Sequence, residues 1–188
     1  NKGANPNHVA DDGNTPLLVA SGKGNLPVVE LLIQKGARID SFGDDGFTSL
    51  TISVERENKN LFDLLMKFGA NPNDTLANSD TALIKSIIPK DAYFFDQLIA
   101  AGADPNLPGR AGNTPLIIAT YVNKLEIVDK LLSAGARVND VNDAGYSALH
   151  FVASVKGINP EIVKLLVEKG ADVNQTAPDG LTPLKVAC

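Results

Sequence analysis

The stretch Gly112–Asn139, GNTPLIIATYVNKLEIVDKLLSAGARVN, reads as a turn, a short helix, a second helix and a loop. The Thr114 hydroxyl can cap a helix, and Pro115 suits the first helical position, where its missing N–H would be unpaired anyway. Gly135, just past Leu131 and Leu132, suits the left-handed residue that ends a helix. The two helices should run about 8 and 9 residues, ~12 to 14 Å each at a rise of ~1.5 Å per residue. Helices that short are marginal alone in water. The unit needs neighbours.

Its signals recur along the whole chain. The helix-start residue returns as Thr15, Thr48, Thr81, Thr114, Ser147 and Thr182, and the Gly-Ala turn returns at Gly3, Gly36, Gly69, Gly102, Gly135 and Gly170. Both series step by 33 residues four times and then by 35 once. Two markers that keep one period and break it in the same repeat indicate an array of stacked units. The helix-start motif reads TPLLVA, TSLTIS, TALIKS, TPLIIA, SALHFV and TPLKVA. With this period and motif the chain resembles the ankyrin-repeat family, over essentially every residue. The resemblance implies an all-α solenoid of stacked helix-turn-helix units with short β-turn or hairpin fingers. It also implies a concave recognition surface made by the finger tips and first helices. Five complete repeats are expected at 10–42, 43–75, 76–108, 109–141 and 142–176. Residues 1–9 read as the tail of an earlier repeat and 177–188 as the start of another, so flanking repeats or domains are expected.

Composition narrows the function classes. The chain has 44% hydrophobic and 21% charged residues, a net charge of −5 and no Trp. Nucleic-acid binding relies on clustered Lys and Arg, and no basic run is present. No apolar run approaches the ~18 residues of a membrane span, so no direct membrane insertion is expected. A single cysteine excludes an internal disulfide framework and fits a reducing compartment, cytoplasmic or nuclear.

Second helices carry apolar residues at i, i+1, i+4 and i+5, one buried face. In repeat 10–42 these are Val28, Val29, Leu31, Leu32 and Ile33; in 142–176 they are Ile162, Val163, Leu165, Leu166 and Val167. Small residues at one first-helix slot, Ala20, Ser53, Ser86 and Ala119, let adjacent repeats approach. Repeat 76–108 departs most: Ser79 replaces the turn glycine, Lys85 stands where Val19 and Ile118 stand, and Pro89 interrupts the first helix. Such a unit is a weak link or a place where function outweighed stability. Two extra residues near Lys156-Gly157-Ile158-Asn159 sit between helices, where repeat proteins take insertions.

The inventory for catalysis is thin. His150 matches the histidine of the family motif, whose implied role is to bond neighbouring backbone. His8 lacks a His or Cys partner at metal-ligand spacing, and Cys188 has no readable base or electropositive setting. Ser21-Gly22-Lys23-Gly24 lacks the remainder of a phosphate-binding loop. Asp40, Asn73, Asn106, Asn139 and Asn174 share one slot, and bonds to local turn backbone explain them. No catalysis, cofactor or metal is expected.

A protein or peptide partner fits better. The tips hold Asp11, Asp12 and Asn14; Asp44, Asp45 and Phe47; Ala77, Asn78 and Asp80; Arg110, Ala111 and Asn113; Asp143, Ala144 and Tyr146; Pro178, Asp179 and Leu181. Seven Asp against one Arg make either good turns or an acidic rim that steers a basic partner. Phe42 and Phe47 flank one finger, while Ile88, Tyr121, Val122 and Tyr146 fall on expected exposed positions; together they suggest a ligand lying across repeats two to five. The resemblance also implies an asparagine-hydroxylation context at Asn174. The alternative is a regulatory sensor of a small molecule or nucleotide, whose loose candidates are Lys85, Arg110 and Tyr121.

Overall fold

Each first helix starts where a hydroxyl can satisfy an orphan backbone donor. The Oγ1 atoms of Thr15, Thr48, Thr81 and Thr114 accept from the N–H groups of Leu18, Thr51, Ile84 and Ile117. At Ser147 the cap is built with a histidine. The Ser147 N–H donates to His150 Nδ1 at 3.2 Å, the reciprocal bond that a glutamate makes in an ordinary capping box. Second helices end in a Schellman turn: Gly135 has φ 93°, and the Ala136 N–H donates to the Leu131 carbonyl at 2.9 Å. Both ends of a helix pair are thus closed by the residues that mark the period.

The computed structural model describes residues 3–44, 46–75, 79–154 and 156–186. Among them the helices are α1 Pro16–Gly22, α2 Leu26–Gln34, α3 Ser49–Glu55, α4 Lys59–Lys67, α5 Ala82–Ile87 and α6 Tyr93–Ala100. They continue as α7 Pro115–Tyr121, α8 Leu125–Ser133, α9 Ala148–Ser154, α10 Pro160–Glu168 and α11 Pro183–Val186, with a 3-10 turn at Arg110–Gly112. No strand forms among the described residues; a single bridge joins Val141 and Ser147.

The chain divides into two compact units, Asn1–Ala103 and Asp104–Cys188. In the first, α1 packs on α2 and α3, α3 on α4 and α5, α5 on α6, and α2 on α4. Its core holds Leu61, Phe62, Leu65, Leu83, Ile87, Phe94, Phe95 and Leu98, all fully buried. In the second, α7 packs on α8 and α9, α9 on α10 and α11, and α8 on α10, around Leu116, Ile117, Leu131, Ile162 and Leu166. A fully buried Leu or Phe side chain contributes about 1.5–3 kcal/mol. Ala20, Ser53, Ser86 and Ala119 are buried as the close helix approach requires.

Two expectations need correction. Val28 and Leu31 are 41% and 52% exposed, and Val167 is 44% exposed. Leu61, at the Val28 slot in α4, is buried where α2 packs on that helix. The Asn slot does not serve its own turn. Asn106 Nδ2 donates to the Gly135 carbonyl at 3.2 Å, and Asn106 Oδ1 accepts from the Arg137 N–H at 2.8 Å. Asn139 clamps Gly170 and Asp172 in the same way at 3.0 and 2.8 Å, and Asn7 clamps Gly36 and Arg38 at 2.9 and 2.7 Å. At Asn7, Asn73, Asn106 and Asn139 one amide therefore ties the turn to the next repeat's backbone. The insertion in 142–176 is folded onto the preceding repeat: Asn123 Nδ2 donates to the Gly157 carbonyl at 3.3 Å, and Oδ1 accepts from the Asn159 N–H at 2.9 Å. Asn159 then caps α10.

Repeat 76–108 is tied down by other means. α5 stops at Ile87 before Pro89, and Ala92 at the start of α6 cannot cap it, so the Asp91 carboxylate accepts from the Tyr93 N–H at 2.9 Å instead. In exchange Lys59 pairs with Asp91 at 2.5 Å, the Tyr93 hydroxyl donates to Asp63 at 2.5 Å, and Phe62 meets Phe94 edge-on at 5.2 Å.

Candidate protein-interaction surface

In the first unit the surface gathers around Lys85. Its slot in α5 is apolar in the other repeats, so the stem lies on apolar neighbours while the ammonium reaches out. Lys85 Nζ sits 4.8 Å from the centroid of the Phe47 ring, 3.7 Å from Glu55 Oε1 and 3.8 Å from Asp80 Oδ2, and the side chain is only 18% exposed. A cation over a ring between two carboxylates is internally compensated. Phe42 and Phe47 are half-buried, Asp44 is exposed and Asp80 half-buried. Ile88, at the C-terminal end of α5, is 66% exposed. Asp45, Ala77 and Asn78 lie outside the described residues.

The second unit carries a row of rings. Tyr121 ends α7 and is 57% exposed. Its ring meets Phe151 of α9 edge-on at 6.1 Å, and Phe151 meets Tyr146 of the neighbouring finger at 6.2 Å. Tyr146 in turn lies 5.4 Å from the His150 ring. Tyr146 and Val122 are half-buried rather than exposed, because the finger folds Tyr146 back onto α9 and Val122 closes the end of α7. The Tyr146 hydroxyl donates to Asp179, which also accepts from the Leu181 N–H at 3.0 Å. The phenol's bond holds the Asp179 carboxyl below the usual carboxylate range, and that carboxylate pushes the Tyr146 hydroxyl above the ordinary tyrosine value. A cleft of about 260 Å³ opens beside them, lined by Tyr146, His150, Phe151, Ser154, Leu181 and Val186. Phe151 is the member that sequence reading misses. It fills the slot of Val19 and Ile118, and its aromatic identity there is the only signal.

Nothing in this arrangement assembles reactive groups. His150 is buried; Nδ1 accepts from Ser147, so the ring proton sits on Nε2, which faces the Leu181 carbonyl at 3.4 Å. Among the described residues no cluster of three His, Cys, Asp or Glu side chains could hold a metal, and no helix is long and apolar enough to cross a membrane. Cys188 lies outside the described residues. Arg110 is exposed on its finger. Of the sensor candidates, Lys85 belongs to the first unit and is engaged as described, while Arg110 and Tyr121 belong to the second. Asn174 is exposed and lines an apolar cleft with Val173, Thr182 and Leu184.

A family model described as ankyrin repeats (3 copies) matches residues 2–76, 52–142 and 123–188. The chain belongs to the ankyrin-repeat family. Its all-α fold is the ankyrin solenoid, similar to the crystal structure of the human ASB11 ankyrin repeat domain. That likeness has a TM-score of 0.77 at 23% identity and covers 100% of this chain and 83% of the other. No curated protein matches by sequence. Ankyrin repeats are protein-interaction modules and typically carry no catalysis. Within that family the finger tips and first helices of this chain hold its Lys85–Phe47 cluster and its Tyr121–Phe151–Tyr146 row.

Proposed function

We propose that this ankyrin domain is a scaffold or adaptor module that binds a protein or peptide along its first helices and finger tips. The observation that carries the reading is the ring row of the second unit. The core aromatics Phe62, Phe94 and Phe95 are fully buried, whereas Tyr121, Phe151 and Tyr146 form a linked set that stays accessible at one face. Rigid aromatic side chains with a polar tip are the residues that interfaces favour as anchors. Acidic fingers around them, with Asp143 and Asp179 exposed, favour a basic partner.

Selection of a displayed peptide library against the domain tests this, with the Tyr121→Ala, Tyr146→Ala double variant as counter-target. Peptides retained by the parent and lost by the variant support the reading. Enriched peptides that bind both equally would place recognition elsewhere.

A further inference from the structure

Resting on that reading, we propose that the cleft beside Tyr146 receives an arginine side chain from a basic partner segment. The argument comes from a comparison within the molecule. Phe47 and Tyr146 occupy the same finger position in two repeats, and in each case the first helix of the following repeat supplies the residue facing that finger. For Phe47 this residue is Lys85, whose ammonium sits 4.8 Å from the ring centroid with Glu55 and Asp80 at 3.7 and 3.8 Å. For Tyr146 the corresponding residue is Val186, which carries no charge, and the space is the cleft of about 260 Å³ lined by both side chains. The first place holds its own cation. The second has a ring and no cation of its own, and the Asp179 carboxylate is bonded to that ring's hydroxyl rather than lining the cleft.

The second place is built to accept one. Asp179 is ionised well below neutrality because Tyr146 and the Leu181 N–H both donate to it. A carboxylate has about four lone-pair sites, so two donors leave room for a guanidinium. No ion pair joins Asp179 to a basic side chain among the described residues; Lys185, nearby in sequence, gives its ammonium to the Gly180 carbonyl at 3.1 Å. Leu181, Val186 and the edge of Phe151 offer apolar wall to an aliphatic stem. Arginine suits this better than lysine, because its planar group can stack on a ring while its fork of donors engages a carboxylate.

The test is an NMR titration of the whole chain with capped Gly-Gly-Arg-Gly-Gly peptide, and with the same peptide carrying citrulline, the neutral isostere, in place of arginine. The arginine peptide should shift Tyr146 and Phe151 resonances saturably, and the citrulline peptide should bind about tenfold more weakly. Asp179→Asn, which keeps an acceptor for the Tyr146 hydroxyl, should weaken the arginine peptide severalfold. Val186→Lys, which copies Lys85, should fill the site from within and abolish the response. Equal binding of the two peptides, an unaltered response in Val186→Lys, or shifts that map away from Tyr146 would each overturn the inference. A library selection that depends on Tyr121 and Tyr146 but shows no preference for arginine sinks this proposal and leaves the binding face standing; one that ignores those tyrosines sinks both.

Discussion

Tyr146 joins two functions in one side chain, since its ring belongs to the proposed binding row and its hydroxyl to a bond with Asp179. That bond has a defined pH window. The Asp179 carboxyl is held low, so its contribution is complete above the ordinary carboxylate value of ~3.9 and is lost as pH falls through the depressed one. The Tyr146 hydroxyl is raised, so its contribution is complete below ~10 and is lost as pH rises through the elevated value. Followed by tyrosinate absorbance against a Tyr146→Phe reference, Tyr146 should titrate above an ordinary tyrosine, and Asp179→Asn should bring it back down. A Tyr146 titration that is unchanged by Asp179→Asn would deny the bond. At this scale the chain shows its own chemistry only in part. His150 is readable because its partner Ser147 is three residues away and the motif is shared. Phe151 is not, because an aromatic at an aliphatic core slot looks like packing until Tyr121 and Tyr146 are seen against it.

Between elements, the joints decide stability. The threonine and glycine series can be read from the chain because a cap or a Schellman turn is closed by residues within a few positions. The Asn clamp cannot be read that way. Asn106 reaches Gly135 and Arg137 across a whole repeat, and a turn asparagine has a sufficient local explanation in its own finger. Finger contacts are equally non-local: Gly145 has φ 81°, and a Cβ there would lie 2.2 Å from Pro178 Cδ, so the glycine serves both its own turn and the next finger. The clamp also exposes an inconsistent joint. At Asp40 the slot holds a carboxylate, which cannot donate to the Gly69 carbonyl, and its charge helps to push the nearby Asp74 carboxyl up, behind the larger effect of burial. Asp40→Asn restores the missing donor and removes that repulsion. It should stabilise the first unit at neutral pH by about 1 kcal/mol, and Asp74 should titrate lower while remaining raised by burial. A lower urea midpoint for Asp40→Asn would show that the slot is not a clamp there.

At the scale of the whole molecule, the fold survives extensive sequence change. The human ASB11 domain shares it at 23% identity, which is expected when caps, turns and a volume-matched core suffice and the fingers are free to vary with the partner. What the array should not have is one indivisible core. Leu65 is fully buried within the first unit and Leu131 within the second, and stability in a repeat array is approximately a sum of repeat terms and nearest-neighbour terms. Either leucine cut to alanine should cost about 2–5 kcal/mol locally, through lost transfer energy and the cavity left behind. Native-state hydrogen exchange can locate that loss. Leu65→Ala should lower protection in α4 and in α2 and α3, which pack on it, while α8 and α10 keep most of theirs. Leu131→Ala should weaken α8, α7 and α10 instead and spare α2 and α4. Equal loss of protection through every helix in both variants would mean that the chain opens as one cooperative body, and the nearest-neighbour account would then fail.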